Sequence, residues 1–244
     1  MTDLRQNLQA VQARIAAAAR RAGRDAGEIT LVAVTKTQPV DVIRAAYDLG
    51  LRHFGENRVE EAEAKVGCLP GDITWHMIGH VQSRKAPHVL PIFQIVHSVD
   101  SLKLARRLDR FAAEGGAPLP ILLECNVSGE ASKYGLDASR WREDELQRRA
   151  LLAAVEEILT LPHVQVQGLM TMAPIVADAE QARPMFACLR ALRDELAAAF
   201  PEGGWRHLSM GMSDDFEVAV EEGATLVRVG RAIFDPDLAP WRLG

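Results

Sequence analysis

Residues 31–54, LVAVTKTQPVDVIRAAYDLGLRHF, read as strand, helix and strand in immediate succession. LVAVT (31–35) is a short β-branched apolar run of the kind buried on both faces of a parallel sheet. Pro39 stands where a helix begins, Asp41 falls in its first turn and Gly50 follows its last. LRHF (51–54) then returns to a strand pattern.

The alternation continues on both sides of this unit. Further strand patterns fall at 73–79, 94–99, 120–127, 164–170, 206–211 and 225–230, with helical patterns notably at 101–113, 143–160, 179–199 and 214–222. Upstream, Leu4, Leu8, Val11 and Ile15 recur at steps of four, three and four on one face of an opening helix that Gly23 is placed to end. Apolar strands alternating with helices give a parallel sheet covered by helices. Eight such units predict a single (β/α)8 TIM barrel of residues 1–244 with an extra N-terminal helix; an open doubly wound sheet is the alternative.

Composition narrows the function classes. The chain has 244 residues, with 28 Lys and Arg against 33 Asp and Glu, so its net charge of −5 offers no basic footprint for nucleic acid or an anionic membrane. Trp75, Trp141, Trp205 and Trp241 are scattered and do not form a stacking platform for single strands. No run is long enough and apolar enough to span a bilayer, and the N-terminus lacks an apolar signal core. Cys68, Cys125 and Cys188 are odd in number and widely spaced, as expected in a reducing cytoplasm.

In a barrel of this kind chemistry sits where strands end. Lys36 directly follows the first strand, where desolvation would favour the neutral amine that condenses with an aldehyde; a surface lysine closing a strand is the plainer reading. Ser213 is placed to cap a helix over 214–222, and Gly230 offers a close backbone approach after the eighth strand. Those loops are where barrels often hold a phosphate, although Asp214 and Asp215 would repel an anion unless they point away. Arg228, between Val227 and Val229, is a cation inside an apolar strand; it either pairs, for example with Glu124, or faces a ligand. His76 and His80 are spaced i, i+4 without the remainder of a zinc motif, so no metal site is expected. Cys125 reads as a small buried hydrophobe.

VAVTK ending at Lys36, FGENRV with Asn57, WHMIGHVQSRK, SGEASKYG, GLMTMAP and LSMGMSDDFEVAVEEGATLVRVGRAIF together resemble the YggS/PROSC-type pyridoxal phosphate homeostasis proteins, over about residues 30–235. The resemblance implies a barrel like the N-terminal domain of alanine racemase, the fold-type III arrangement. It implies that Lys36 forms a Schiff base with pyridoxal 5′-phosphate (PLP), that Ser213, Gly230 and the backbone at Arg231 hold the phosphate, that Arg228 faces the pyridine nitrogen, and that Asn57 lines the pocket. Two positions depart from the family pattern: Arg231 stands where Thr is common, and Arg84 replaces Asn.

These readings lead to a cytoplasmic PLP-binding protein of vitamin B6 and amino-acid homeostasis, without robust catalysis, that passes the cofactor to apo-enzymes or limits its free concentration. A PLP-dependent amino-acid racemase is the alternative. Racemisation needs a second acid/base, and Tyr134 is the candidate for it, because Tyr47 falls on an outer helix and no second domain is expected after the eighth unit. A loop residue packing over the barrel rim is the plainer reading of Tyr134, since nothing in the sequence supplies a base to activate it. A lysine-dependent aldolase and a scaffold role are further alternatives. With no coiled-coil heptads, a monomer is expected.

Overall fold

A computed structural model describes residues 2–130, 133–174 and 176–235. Trp241, and Ala131 and Ser132 of the SGEASKYG segment, lie outside the described residues. The strands are β1 Thr30–Val34, β2 His53–Glu56, β3 Thr74–Met77, β4 Ile95–Val99, β5 Leu119–Asn126, β6 Leu136–Asp137, β7 Val164–Met170, β8 His207–Ser209 and β9 Leu226–Val229. The helices are α1 Thr2–Arg21, α2 Val40–Asp48, α3 Val59–Val66, α4 Ala86–Val89, α5 Leu102–Ala112, α6 Glu145–Leu159, α7 Arg183–Ala199, α8 Phe216–Glu221 and α9 Arg231–Phe234.

Eight strands close into a parallel barrel in the order β1, β2, β3, β4, β5, β7, β8, β9, and β9 pairs back to β1. The expectation of a TIM barrel rather than an open sheet is therefore met. The two-residue β6 adds to the edge of β5, pairing Leu136 with Cys125, and was not legible in the sequence pattern. All strands are parallel, so between successive barrel strands the chain returns through a helix over the outside.

Strand boundaries shift by a residue or two from the sequence reading. The helix expected over 179–199 begins as a 3-10 turn at Ala179–Ala182, capped by Asp178, before α7 starts with Pro184 in its first turn. α5 and α6 start at the side-chain caps Ser101 and Asp144, which accept backbone N–H groups of the first turn. Gly23 and Gly50, with φ of 66° and 101°, take the left-handed conformation that ends a helix.

Alternation along the strands divides the core in two. One set of buried side chains packs between the strands and the surrounding helices, including Phe54, Phe186, Leu189 and Phe216. The other faces inward: Val32, Ile95, Leu122, Met170 and Leu226 form an apolar plug inside the barrel. Because side chains alternate, His76, His97, Glu124, Ser209 and Arg228 share the inward face, two residues from these or in register with them. α1 lies across the last units: Asn7 donates to the Ile233 carbonyl at 3.1 Å and Arg14 pairs with Glu217 at 2.7 Å.

Gly168 marks a tight point in the barrel wall. Its φ is 151°, the β5–β7 register shifts between Ile121 and Leu122, and a Cβ there would lie 1.9 Å from the His207 carbonyl oxygen. Backbone, rather than a flexible side chain, stands in the way. Gly168→Ala is expected to lower stability by about 3 kcal/mol; urea unfolding measures it, and a midpoint equal to wild type would refute the assignment.

Candidate functional site at the carboxyl end of the barrel

β1 lies between β2 and β9, and that order assembles the site. Val34 pairs with Gly55 and Ala33 with Val229, so Lys36, Asn57 and Gly230 leave three adjacent strands side by side. Gly230 is pressed against β1: a Cβ there would lie 3.2 Å from both the Cβ and the carbonyl oxygen of Val34. Ser213 joins this group because its Oγ accepts the backbone N–H of Ala232 at 3.3 Å. Lys36, Asn57, Ser213, Gly230 and Arg231 therefore meet at one mouth, with Arg228 below them inside the barrel.

Several expectations need correction. Lys36 is exposed, not desolvated, because it sits at the second position of a turn closed by the Gln38 N–H on the Thr35 carbonyl at 3.0 Å. The next residue, Thr37, has φ of 64° and is the only non-glycine residue with positive φ among the described residues. Strain of this type gathers at functional loops. Ser213 does not cap α8. Asp215 is the N-cap residue, and its Oδ1 accepts the Met212 N–H at 2.6 Å, which delays the helix to Phe216. Gly211 permits this path, with φ of 90° and a Cβ position 2.6 Å from Ala219 Cβ.

Both acids of this loop are accounted for. Asp214 forms an ion pair with Arg231, so the two charges offset each other at the rim. Asp215 is buried, and desolvation raises its pKa despite the Met212 hydrogen bond.

Arg228 pairs with neither Glu124 nor another carboxylate among the described residues. It donates from Nη1 to Ser209 Oγ at 2.6 Å and from Nη2 to the Thr171 carbonyl at 2.9 Å. Burial lowers its pKa to about 10, partly offset by Asp215 and Glu124, so it remains charged at neutral pH. A guanidinium has five donor hydrogens, and these bonds use two. Glu124 is 3% exposed, and its carboxyl is pushed up to about 7 by desolvation and the nearby Asp100 charge, against a lowering by Arg228.

Two groups escaped the sequence reading. Lys65 reaches from α3 to Glu56 Oε1 at 2.8 Å and to the Thr35 carbonyl at 3.0 Å, while Thr35 Oγ1 donates to the same carboxylate oxygen at 2.7 Å. This buried knot pins the backbone immediately before Lys36. The second group is a set of inward histidines: His76 bonds His53 and His97, whereas His80 pairs with Asp100 at 3.0 Å and stacks on Tyr134 with ring centroids 3.8 Å apart. The i, i+4 spacing of His76 and His80 therefore spans two environments. Asn57, Gly79, His80 and Lys85 line a cleft of about 320 Å³ beside the mouth. Gly79 is required there, since a Cβ would lie 2.2 Å from the Asn57 carbonyl oxygen. Tyr47 bonds Asp72 from α2 on the outside, and Cys125 is buried with its thiol pKa raised by desolvation.

Comparison with known proteins bears on this geometry. The family described as alanine racemase, N-terminal domain, matches residues 6–236. A protein of Pseudomonas aeruginosa named pyridoxal phosphate homeostasis protein is 43% identical over 237 residues, covering 96% of each chain. A protein of the same name from Aquifex aeolicus is 40% identical over 230 residues, covering 94% of this chain and 96% of its own. Among solved structures, PipY of Synechococcus elongatus with PLP bound superposes with a TM-score of 0.79 at 37% identity, covering 95% of this chain and 99% of its own.

Glu124 gives a pH test. A carboxyl raised from 4.5 to about 7 holds its proton more tightly folded than unfolded, so stability falls as pH rises from about 4.5 and levels off above about 7. Glu124→Gln removes that dependence. Its stability relative to wild type is expected to rise on the order of 2–3 kcal/mol across this window. Denaturant unfolding at several pH values measures it, and a constant difference refutes the assignment.

Proposed function

The chain belongs to the alanine racemase N-terminal domain family and, within it, to the pyridoxal phosphate homeostasis proteins, and from that premise we propose how it holds PLP. The protein binds PLP and serves PLP homeostasis, as its family does. Lys36 is the covalent anchor. Ser213, Gly230 and the backbone at Arg231 receive the phosphate, Asn57 lines the pocket, and Arg228 meets the pyridine nitrogen. The observation that carries this reading is the meeting of Lys36, Gly230 and Ser213 above a buried, charged Arg228.

The residues suit the group. Gly230 leaves the backbone bare beside β1, where a Cβ would crowd Val34. Arg231 keeps its charge paired with Asp214 and approaches an anion through its backbone N–H. Arg228 has donors beyond those given to Ser209 and Thr171. A permanent cation beside the ring nitrogen disfavours a proton there.

When bound, PLP supplies a reactive carbonyl and an electron-withdrawing ring. Arg228 weakens the ring as an electron sink, which favours holding the cofactor over broad carbanion chemistry. Lys36 is exposed, so an outside amine or water can reach the bond it makes. That access fits transfer of PLP to apo-enzymes by a cytoplasmic monomer acting as one barrel domain. The racemase alternative needs Tyr134 as a second acid/base, and its ring is engaged in stacking on His80.

Incubation with PLP followed by borohydride reduction is expected to label one peptide, containing Lys36, and Lys36→Ala should abolish both the label and the visible absorption band. Labelling elsewhere would overturn the assignment. Loss of optical activity from alanine or serine at enzymatic rates, dependent on Lys36, would favour the racemase.

A further inference from the structure

The inward histidines connect to the site by an unbroken line of hydrogen bonds. Arg228 Nη1 lies 2.6 Å from Ser209 Oγ, which lies 2.8 Å from His97 Nδ1. His97 Nε2 is 2.9 Å from His76 Nδ1, and His76 Nε2 is 3.0 Å from His53 Nδ1. The line runs from β9 through β8, β4 and β3 to His53, the first residue of β2, at the opposite end of the barrel. Ser209 and His97 are fully buried or nearly so, His76 is 3% exposed, and His53 is half-buried.

Donor bookkeeping fixes the direction of every bond. A guanidinium only donates, so Ser209 Oγ accepts from Arg228. The Ser209 hydroxyl has one hydrogen, and its other partner is His97 Nδ1. Were His97 to donate instead, that hydrogen would be buried without an acceptor among the described residues. His97 Nδ1 therefore accepts, which places the ring hydrogen on Nε2. The same step repeats at His76 and again at His53. All three rings are neutral with hydrogen on Nε2, and a proton added to any of them would force the line to reverse against Arg228. Desolvation acts the same way: it lowers the pKa of His76 to about 3 and that of His97 well below its ordinary value, with the neighbouring histidines and, at His97, the Arg228 charge opposing protonation further.

We infer that Ser209, His97, His76 and His53 form a polarised hydrogen-bond line that positions the Arg228 guanidinium, keeping its unused donors turned toward the mouth of the barrel. These are positioning residues, and their effect on PLP rests on the reading that Arg228 meets the cofactor ring. The line does two things that an apolar interior could not. It gives a buried cation a neutral acceptor without a carboxylate beside the ring, and it excludes a second cation from the barrel interior.

The line itself is tested without cofactor. Long-range 1H–15N correlation on the ¹⁵N-labelled protein at neutral pH, assigned by single histidine substitutions, should show His53, His76 and His97 neutral with hydrogen on Nε2. Hydrogen on Nδ1, or an imidazolium, at His76 or His97 would overturn the proposal. The positioning role is tested with PLP itself. Ser209→Ala and His97→Leu should retain Lys36 labelling, shift the visible band and weaken PLP about tenfold. His97→Asn, which restores an acceptor near the Nδ1 position, should return both toward wild type. A folded Ser209→Ala protein with wild-type band and affinity would overturn the positioning role. If Ser209→Ala fails to fold, the His97→Leu and His97→Asn pair decides. If wild type takes no label at Lys36, the functional reading fails while the correlation spectrum still judges the line.

Discussion

A guanidinium enclosed by parallel strands governs this structure. Arg228 is 4% exposed, and a cation in that position is tolerated only if acceptors meet it. The barrel meets the demand with neutral oxygens, the Ser209 hydroxyl and the Thr171 carbonyl, rather than with a carboxylate. Two acidic residues stand in the same field, and both have raised pKa values. Glu124 rises by desolvation and Asp100, and Asp215 by desolvation, while Arg228 opposes the shift in each. The interior is therefore arranged so that positive charge is localised on one group.

That arrangement depends on strand register. Val32 opposite Arg228, Ser209 opposite Leu226 and His76 opposite Ile95 put apolar and polar inward residues at fixed levels of the barrel. The apolar plug of Val32, Ile95, Leu122, Met170 and Leu226 excludes water around the polar line, so each hydrogen bond there is made in a low-dielectric setting. Register slippage by one residue would turn Arg228 outward against the helices. The close backbone contact at Gly168 and the Thr35–Glu56–Lys65 knot hold the wall at two points.

Much of this was legible in the sequence, for identifiable reasons. The barrel followed from eight alternations of apolar strand and amphipathic helix, a repeated signal. Lys36, Gly230 and Arg228 were visible because each breaks its local pattern: a cation at a strand end, a glycine after one, a cation within one. Ser213 was placed at the right mouth with the wrong local role, since the sequence marks Ser as a cap but does not reveal that Asp215 takes the Met212 N–H first. Desolvation of Lys36 was expected from the strand before it; the turn through Thr37 instead carries it outward. The histidine line was hidden because its members come from β2, β3 and β4, and only the register brings residues 53, 76 and 97 together. A histidine on the inward parity of three successive strands is the signal that could have found them.

The contrast between Lys36 and Arg228 explains how one pocket can be both firm and open. Where both groups are buried, exchange of a bound aldehyde requires the protein to unfold locally or to carry an amine inward. Here the residue proposed to make the covalent bond is exposed, while the residue proposed to meet the ring is held on a line reaching the far end of the barrel. On that proposal, orientation of the ring would be set from below by groups with little freedom, and exchange would take place above, where the chain turns outward. A catalyst gains from the reverse design, with a dry amine beside a second acid/base. For a protein proposed to give up what it binds, exposure at the amine would be the useful property.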